Sequence, residues 1–313
     1  MTKDFEELND SLGSFESSRV SSASQVTLVR PEAEVVLLAV DGSGQDTTAI
    51  AFAAELAGRL GARVVVTCAV DPKTGDRASV VERAMQALAA GRTPIAASAE
   101  APTAAAPAAQ ILASIATSGA DVVVAPAPYG EELAVGGDES LGFAIDIMLA
   151  EIAVPLALVR QPMADPRACF EHLVVPVHVA ARACGTAASW AFRLVDPGGT
   201  LEVVSVADPR ARDDDETDVP TTDELLRAHR VRIGNLVAAV QRRGSEARVD
   251  VRVEVEVGRT IERLLAHAGS SPSLLCATLP SDRNSLAFHR AQDLVLGASY
   301  PVLLVRPGGA VPC

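Results

Sequence analysis

From about residue 33 onward the apolar residues fall into short unbroken runs, separated by longer stretches in which they recur at helical spacing. Continuous apolar runs of five to seven residues are the mark of strands buried on both faces, and the longer periodic stretches are the mark of amphipathic helices. The pattern predicts strands at Glu34–Val40, Val64–Val70, Asp121–Ala125 and Leu156–Arg160, with a weak one near Ile95–Ala97. Between them it predicts helices at Thr47–Leu60, with Ile50, Ala53, Ala57 and Leu60 as the buried stripe, and at Ala78–Ala90. A third helix follows the Ala/Pro-rich connection Ala101–Ala108 and ends near Ser118, and a fourth precedes Leu156. The same order then repeats. Strands are expected near Leu173–Val177, Leu201–Val206, Val249–Val257, Leu274–Ala277 and Val302–Arg306, and helices near Ala187–Leu194, Thr222–Arg242, Thr260–Ala268 and Ser285–Leu296.

The repetition is visible in the residues themselves. Glu34–Pro72 is echoed by Glu171–Pro209, each ending its second strand in Asp-Pro, and Val154–Arg160 is echoed by Tyr300–Arg306. Self-similarity at a domain-sized spacing indicates a duplicated fold. We divide the chain into a Ser- and acid-rich tail (1–32), a first unit (33–162), a linker at Gln161–Arg167 with Pro162 and Pro166, and a second unit (167–308). Alternating strands and helices imply parallel sheets covered on both faces, with right-handed crossovers. Ligands of such sheets sit beyond the carboxyl ends of the strands where strand order reverses, here the ends of the first and fourth strands of each unit.

Composition narrows the function classes. Apolar residues make up 49% of the 313 residues and aromatics only 3%, so the cores are built from Ala, Val and Leu. A net charge of −13 speaks against nucleic acid, and the arginines at 227, 230, 232, 242 and 243 read as a solvated helix face behind the acidic run Asp213–Glu216. No run is long enough to span a membrane and no leader pattern opens the chain, so a cytoplasmic protein is expected. The five cysteines lack metal or disulfide spacing. In the tail, Phe5, Leu8, Leu12 and Phe15 fall at helical spacing on an acidic background, a candidate segment for a protein partner, against the alternative of a tail with incidental apolar residues.

Several segments together resemble the universal stress protein family: Val40-Asp41-Gly42-Ser43, Val70-Asp71-Pro72, Asp121-Val122-Val123-Val124 and Val154–Arg160, with Ala207-Asp208-Pro209 and Tyr300–Arg306 in the second unit. The resemblance implies an α/β fold of two tandem five-stranded parallel sheets of order 3-2-1-4-5, like the adenine-nucleotide α-hydrolases. It also implies pairing of the units through their fifth strands as a pseudo-dimer within one chain. Many family members bind ATP through G-x2-G-x9-G-[S/T] after strand four and an Asp at the end of strand one. Glycines let backbone N–H groups approach phosphate, and the following helix N-terminus favours anions.

Both units depart from that motif. Pro126 takes the place of the first glycine; Gly142 survives, but Phe143 follows it, and Glu131, Glu132, Asp138 and Glu139 lie between. In the second unit Leu274–Pro280 has no glycine, and Phe288-His289 stands for Gly-Ser. Two or three lost charge-assisted donors, at roughly 1.5–3 kcal/mol each, would weaken phosphate binding by a few powers of ten. The candidate ligand residues are then Asp41, Gly42, Ser43, Val70 and Gly142, with His178 standing where the second unit would have its Asp. Asp41 alternatively caps a turn, and His178 alternatively bonds a backbone group. No metal-ligand spacing, nucleophile elbow, Walker loop or pair of carboxylates at a Gly-lined strand end is evident, and no enzyme is expected.

These readings point to a stress-linked regulatory or interaction module without a cofactor. It would act through an unknown protein partner, with a homodimer also open. An adenine-compound sensor (AMP or a cyclic nucleotide) is the alternative, and a weak nucleotide hydrolase the second alternative.

Overall fold

The computed structural model describes residues 26–70, 76–91, 94–101, 105–127, 143–160, 163–209, 221–269 and 271–307. Phe5, Leu8, Leu12, Phe15 and Gly142, together with the acidic residues at 131, 132, 138 and 139, lie outside the described residues.

The strands are β1 (Val35–Val40), β2 (Arg63–Cys68), β3 (Ala97–Ala99), β4 (Val122–Pro126), β5 (Leu156–Val159), β6 (His172–Pro176), β7 (Thr200–Ala207), β8 (Asp250–Val257), β9 (Leu274–Thr278) and β10 (Val302–Val305). They form one ten-stranded sheet in the order β3-β2-β1-β4-β5-β10-β9-β6-β7-β8. Each half of that sheet has the expected 3-2-1-4-5 order. The halves do not make two separate sheets. They merge where β5 and β10 run antiparallel, with Leu303 opposite Ala157, while every other neighbouring pair is parallel.

Eight described helices cover the sheet: α1 (Asp46–Leu60), α2 (Arg77–Ala89), α3 (Pro107–Ser118), α4 (Phe143–Glu151), α5 (Cys184–Leu194), α6 (Thr222–Ala247), α7 (Thr260–Gly269) and α8 (Leu286–Gly297). The two-residue period of a strand sends Val36, Leu38 and Val40 to one face and Val35, Leu37 and Ala39 to the other, and all six are buried. The first face packs under α1, α2, α5 and α6, the second under α3, α4, α7 and α8. The predicted stripe of α1 (Ile50, Ala53, Ala57, Leu60) is buried as expected, and Gly61, at φ +73°, ends the helix in the left-handed region where a Cβ is costly. α6 runs five residues beyond its expected end; it starts at a capping box in which Thr221 and Glu224 satisfy each other's backbone N–H groups.

At the end of the linker and just beyond it, Pro166–Phe170 forms a short 3₁₀ helix. Phe170 is fully buried and stacks on Phe52 of α1 at 5.4 Å, with the Arg59 guanidinium over its ring, 4.2 Å from the centre. Arg59 also pairs with Asp196, and Arg193 of α5 donates to the carbonyls of Arg59 (2.7 Å) and Leu60 (2.9 Å) at the end of α1.

The matching arginines at the ends of β5 and β10 cross the seam in opposite directions. Arg160 donates to Val295 (2.8 Å) and Leu296 carbonyls at the end of α8. Arg306 donates to Leu149 (2.8 Å), Ala150 (3.0 Å) and Ile152 (2.6 Å) at the end of α4. The last carbonyls of a helix lack intrahelical partners and carry the negative end of its dipole, so a cation there satisfies both. Each half thus finishes a helix of the other.

Candidate functional site

The two crevices in which strand order reverses lie at the carboxyl ends of β1 and β6. In the first, Asp41 follows β1 and its Oδ1 accepts the Ser43 N–H at 2.8 Å, the turn-capping role that Asp commonly takes. Asp46, in the first turn of α1, turns back onto the same loop: its carboxylate accepts the Asp41 N–H at 3.1 Å and the Gly42 N–H at 2.8 Å. The two carboxylates therefore sit together, and a pair of acids does occupy this strand end, contrary to expectation. Burial, and next the charge of Asp41, push the Asp46 carboxyl up to about 6, against the pull of the two N–H groups.

Gly42 has a structural reason to be glycine. Its φ is +82°, and a Cβ there would come within 3.3 Å of Val80 on α2 and 3.8 Å of Val70. Val70, just past β2, is buried and forms the apolar floor of the loop. The loop thus brings Asp41, Gly42, Ser43 and Val70 into one place.

Arg77 also belongs to this end of the sheet. It is 8% exposed, and it donates to the Val70 carbonyl from Nε at 2.8 Å and to the Ala105 carbonyl from Nη2 at 2.9 Å. This ties the end of β2 to the approach of α3. Its Nη1 is buried without a partner. As the first residue of a helix it carries no sequence signal that separates it from a solvated arginine.

Pro126 is the last residue of β4, buried and paired with Val159 of β5. It has no N–H, and the next one, on Ala127, is committed to the Val159 carbonyl at 3.0 Å. The donors that a phosphate would need directly after β4 are absent at one residue and spent at the other.

The second crevice is filled. His178, 6% exposed, reaches from the end of β6 to the end of β9, with Nε2 2.8 Å from the Thr278 carbonyl and Nδ1 3.3 Å from the Pro176 carbonyl. A neutral imidazole carries one N–H, and the shorter contact assigns it to Nε2. Burial depresses the imidazole to about 4, so the ring is neutral at physiological pH. Cys184 donates to the same Pro176 carbonyl at 3.9 Å, and burial pushes its thiol up to about 11. Beyond β9 the N-terminus of α8 is closed by the chain itself: the Ser285 hydroxyl accepts the Phe288 N–H at 3.2 Å, and Phe288 is buried in the core.

A polar cluster that sequence reasoning missed lies on the α7 face of the second half. Glu202 of β7 accepts from His172 (3.1 Å) and His267 (2.8 Å), and the other nitrogen of His267 is 3.2 Å from Glu256. The His172 bond holds Glu202 below its ordinary range. These residues come from β6, β7, β8 and α7, so no local spacing could reveal them. Among the described residues no group of His, Cys, Asp and Glu has the geometry of a metal site.

Against this geometry the comparisons with known proteins fall into place. Residues 32–128 match the model of the universal stress protein family. Over nearly the whole chain the fold is similar to that of a universal stress protein from Archaeoglobus fulgidus DSM 4304, at 16% identity, with a TM-score of 0.58 and coverage of 88% of this chain and 96% of that one. It is likewise similar to a functionally unknown protein from Pseudomonas aeruginosa PAO1, at 14% identity, with a TM-score of 0.60 and coverage of 89% and 94%. At such identities the likeness is one of fold. No curated protein matches the chain in sequence.

Proposed function

We propose that the chain is a regulatory or interaction module built on a universal stress protein domain, one that does not hold ATP tightly and acts through its surfaces. The observation that carries this reading is the loss of phosphate donors after β4, where Pro126 has no N–H and that of Ala127 is bonded to Val159. The paired acids Asp41 and Asp46 add repulsion toward a triphosphate in the first half, and His178 occupies the corresponding space in the second. Calorimetric titration of nucleotide-stripped protein with Mg-ATP, AMP and cyclic AMP tests it. The module reading expects no micromolar binding by any of the three; micromolar binding of Mg-ATP overturns it.

A second reading is favoured by the carboxylate pair. Two acceptors at a strand end floored by Val70 suit the hydroxyl and amine donors of an adenine compound carrying few phosphates. That sensor would gain stability from AMP or cyclic AMP and little from ATP, by linkage, and Asp41→Ala would remove the gain.

For the module itself, the partner surface we propose is the Phe5, Leu8, Leu12 and Phe15 stripe, and a cytoplasmic location goes with it. Among the described residues no helix is long and apolar enough to cross a membrane. Deleting residues 1–20 should abolish capture of the partner while the folded core keeps its stability; unchanged capture rules out the stripe.

A further inference from the structure

Away from both crevices, a cavity of about 320 Å³ opens at the seam between the halves, within the size range of small-molecule sites. Its walls come from the segment leading into β1, the starts of β4 and β5, the middle of α5 and the end of β10. Trp190, the chain's single tryptophan, makes one wall and is itself 6% exposed; Pro155 and Val305 line it further, and Val29 lines it while 59% exposed. An exposed valine beside a buried indole is apolar surface that a ligand would remove from water.

The polar groups of the lining decide what that ligand is. Arg306 is the cation that lines the cavity, and each of its nitrogens already donates: Nε to Ile152, Nη2 to Leu149 and Ala150, Nη1 to Pro280. The Ser189 hydroxyl donates to Gly185 at 2.8 Å. An anionic ligand would meet the second N–H of Arg306 Nη1 and the Thr27 and Thr186 hydroxyls, but it would also face the two carboxylates of Glu32 and Asp121 against a single guanidinium. The charge of the lining favours a cation, two carboxylates against one guanidinium. Asp121 takes the Glu34 N–H (2.8 Å) and the Val35 N–H (3.0 Å) on one oxygen, Oδ2, which leaves Oδ1 for another donor, and Glu32 adds an exposed carboxylate.

We propose that the seam cavity is a binding site for a small organic cation, an amine carried on an apolar ring or chain. The apolar body lies against Trp190 and Pro155, and the ammonium group donates to Asp121 and Glu32. The site uses residues of both halves, so it exists only because the halves are fused at the β5–β10 seam. It is independent of whether either crevice takes a nucleotide.

Three probes of one shape separate charge from apolar fit: 2-phenylethylamine, 2-phenylethanol and 3-phenylpropionate, titrated into the full chain by calorimetry and by Trp190 fluorescence. The amine should bind saturably with a change in Trp190 emission, the alcohol about tenfold or more weaker, and the carboxylate not at all. Glu32→Gln, at an exposed position, and Asp121→Asn, which keeps an acceptor for the Glu34 and Val35 N–H groups, should each weaken the amine and leave the alcohol unchanged. Equal binding of all three probes, no saturable binding of the amine, or amine binding that neither substitution weakens would overturn the proposal.

Discussion

The ends of β1 and β6 occupy equivalent places in the two halves of one sheet, yet they are built on opposite principles. The first holds two acids on a glycine-bearing loop, with hydrogen bonds to its own backbone and a carboxyl raised toward neutrality. The second holds a buried neutral imidazole that bridges two strands. Duplication supplies the same scaffold twice, and one substitution at the strand end, Asp41 against His178, changes an acidic loop into a plug. The Asp41 carboxylate accepts a loop N–H, whereas an imidazole can discard its charge and be buried.

The comparison is broken most readily by truncation. His178→Ala should cost about 2–4 kcal/mol, since it removes a buried ring and orphans the Thr278 carbonyl. Asp41→Ala should change stability by about 1 kcal/mol or less, because it loses one turn bond while relieving Asp46. Urea midpoints of the two variants check this, and equal costs would mean that the ends are not different in kind.

Acid should act on the two ends with opposite sign. His178 is depressed to about 4 from 6.5, so the unfolded chain binds the proton first. Its contribution is fully present above about 6.5 and is lost as pH falls toward about 4, on the order of 3 kcal/mol. His178→Gln should remove that slope from a plot of melting temperature against pH. Asp46 is raised to about 6 from 3.8, so here the folded chain holds the proton more tightly. Its contribution is fully present below about 3.8 and is lost as pH rises through about 6. Asp46→Asn should keep the gain at pH 7 and flatten this opposite, smaller slope in the same melting series.

An effect on affinity rather than stability is expected at the end of β4. Pro126→Gly restores one N–H while that of Ala127 stays on Val159, so Mg-ATP affinity measured by calorimetry should rise by about ten- to a hundredfold, the worth of one donor. A larger gain would place the whole defect in the proline.

The fold was legible because its signals are local and doubled. The runs at Val35–Val40 and Leu274–Thr278, and the stripe of α1, need no tertiary information, and the repeat let each half check the other. β3 was placed two residues early, at Ile95 rather than Ala97, since a three-residue edge strand of small residues has little pattern to read. The stacking of Phe170 on Phe52 is not legible, because the two rings come from different halves of the chain. At the site, Asp41, Gly42 and Val70 could be read from the strand ends they terminate. Asp46 could not: it looks like a helix-start acid, and its approach to Asp41 depends on the positive φ of Gly42. Arg77, Arg160 and Arg306 are further cases in which a cation looks solvated in sequence and is spent on backbone carbonyls in the fold. Burial of a charged side chain is a tertiary property, and composition is blind to it.

One nuclear magnetic resonance titration addresses both strand ends together: the side-chain carboxyl of Asp46 and the imidazole of His178 followed in the same protein from pH 3 to 8. The difference between the ends predicts that Asp46 titrates near 6 and that His178 stays neutral down to about 4. Midpoints near the ordinary values of 3.8 and 6.5 would contradict it, since they would mean a solvated acid at one end and an open, unplugged crevice at the other.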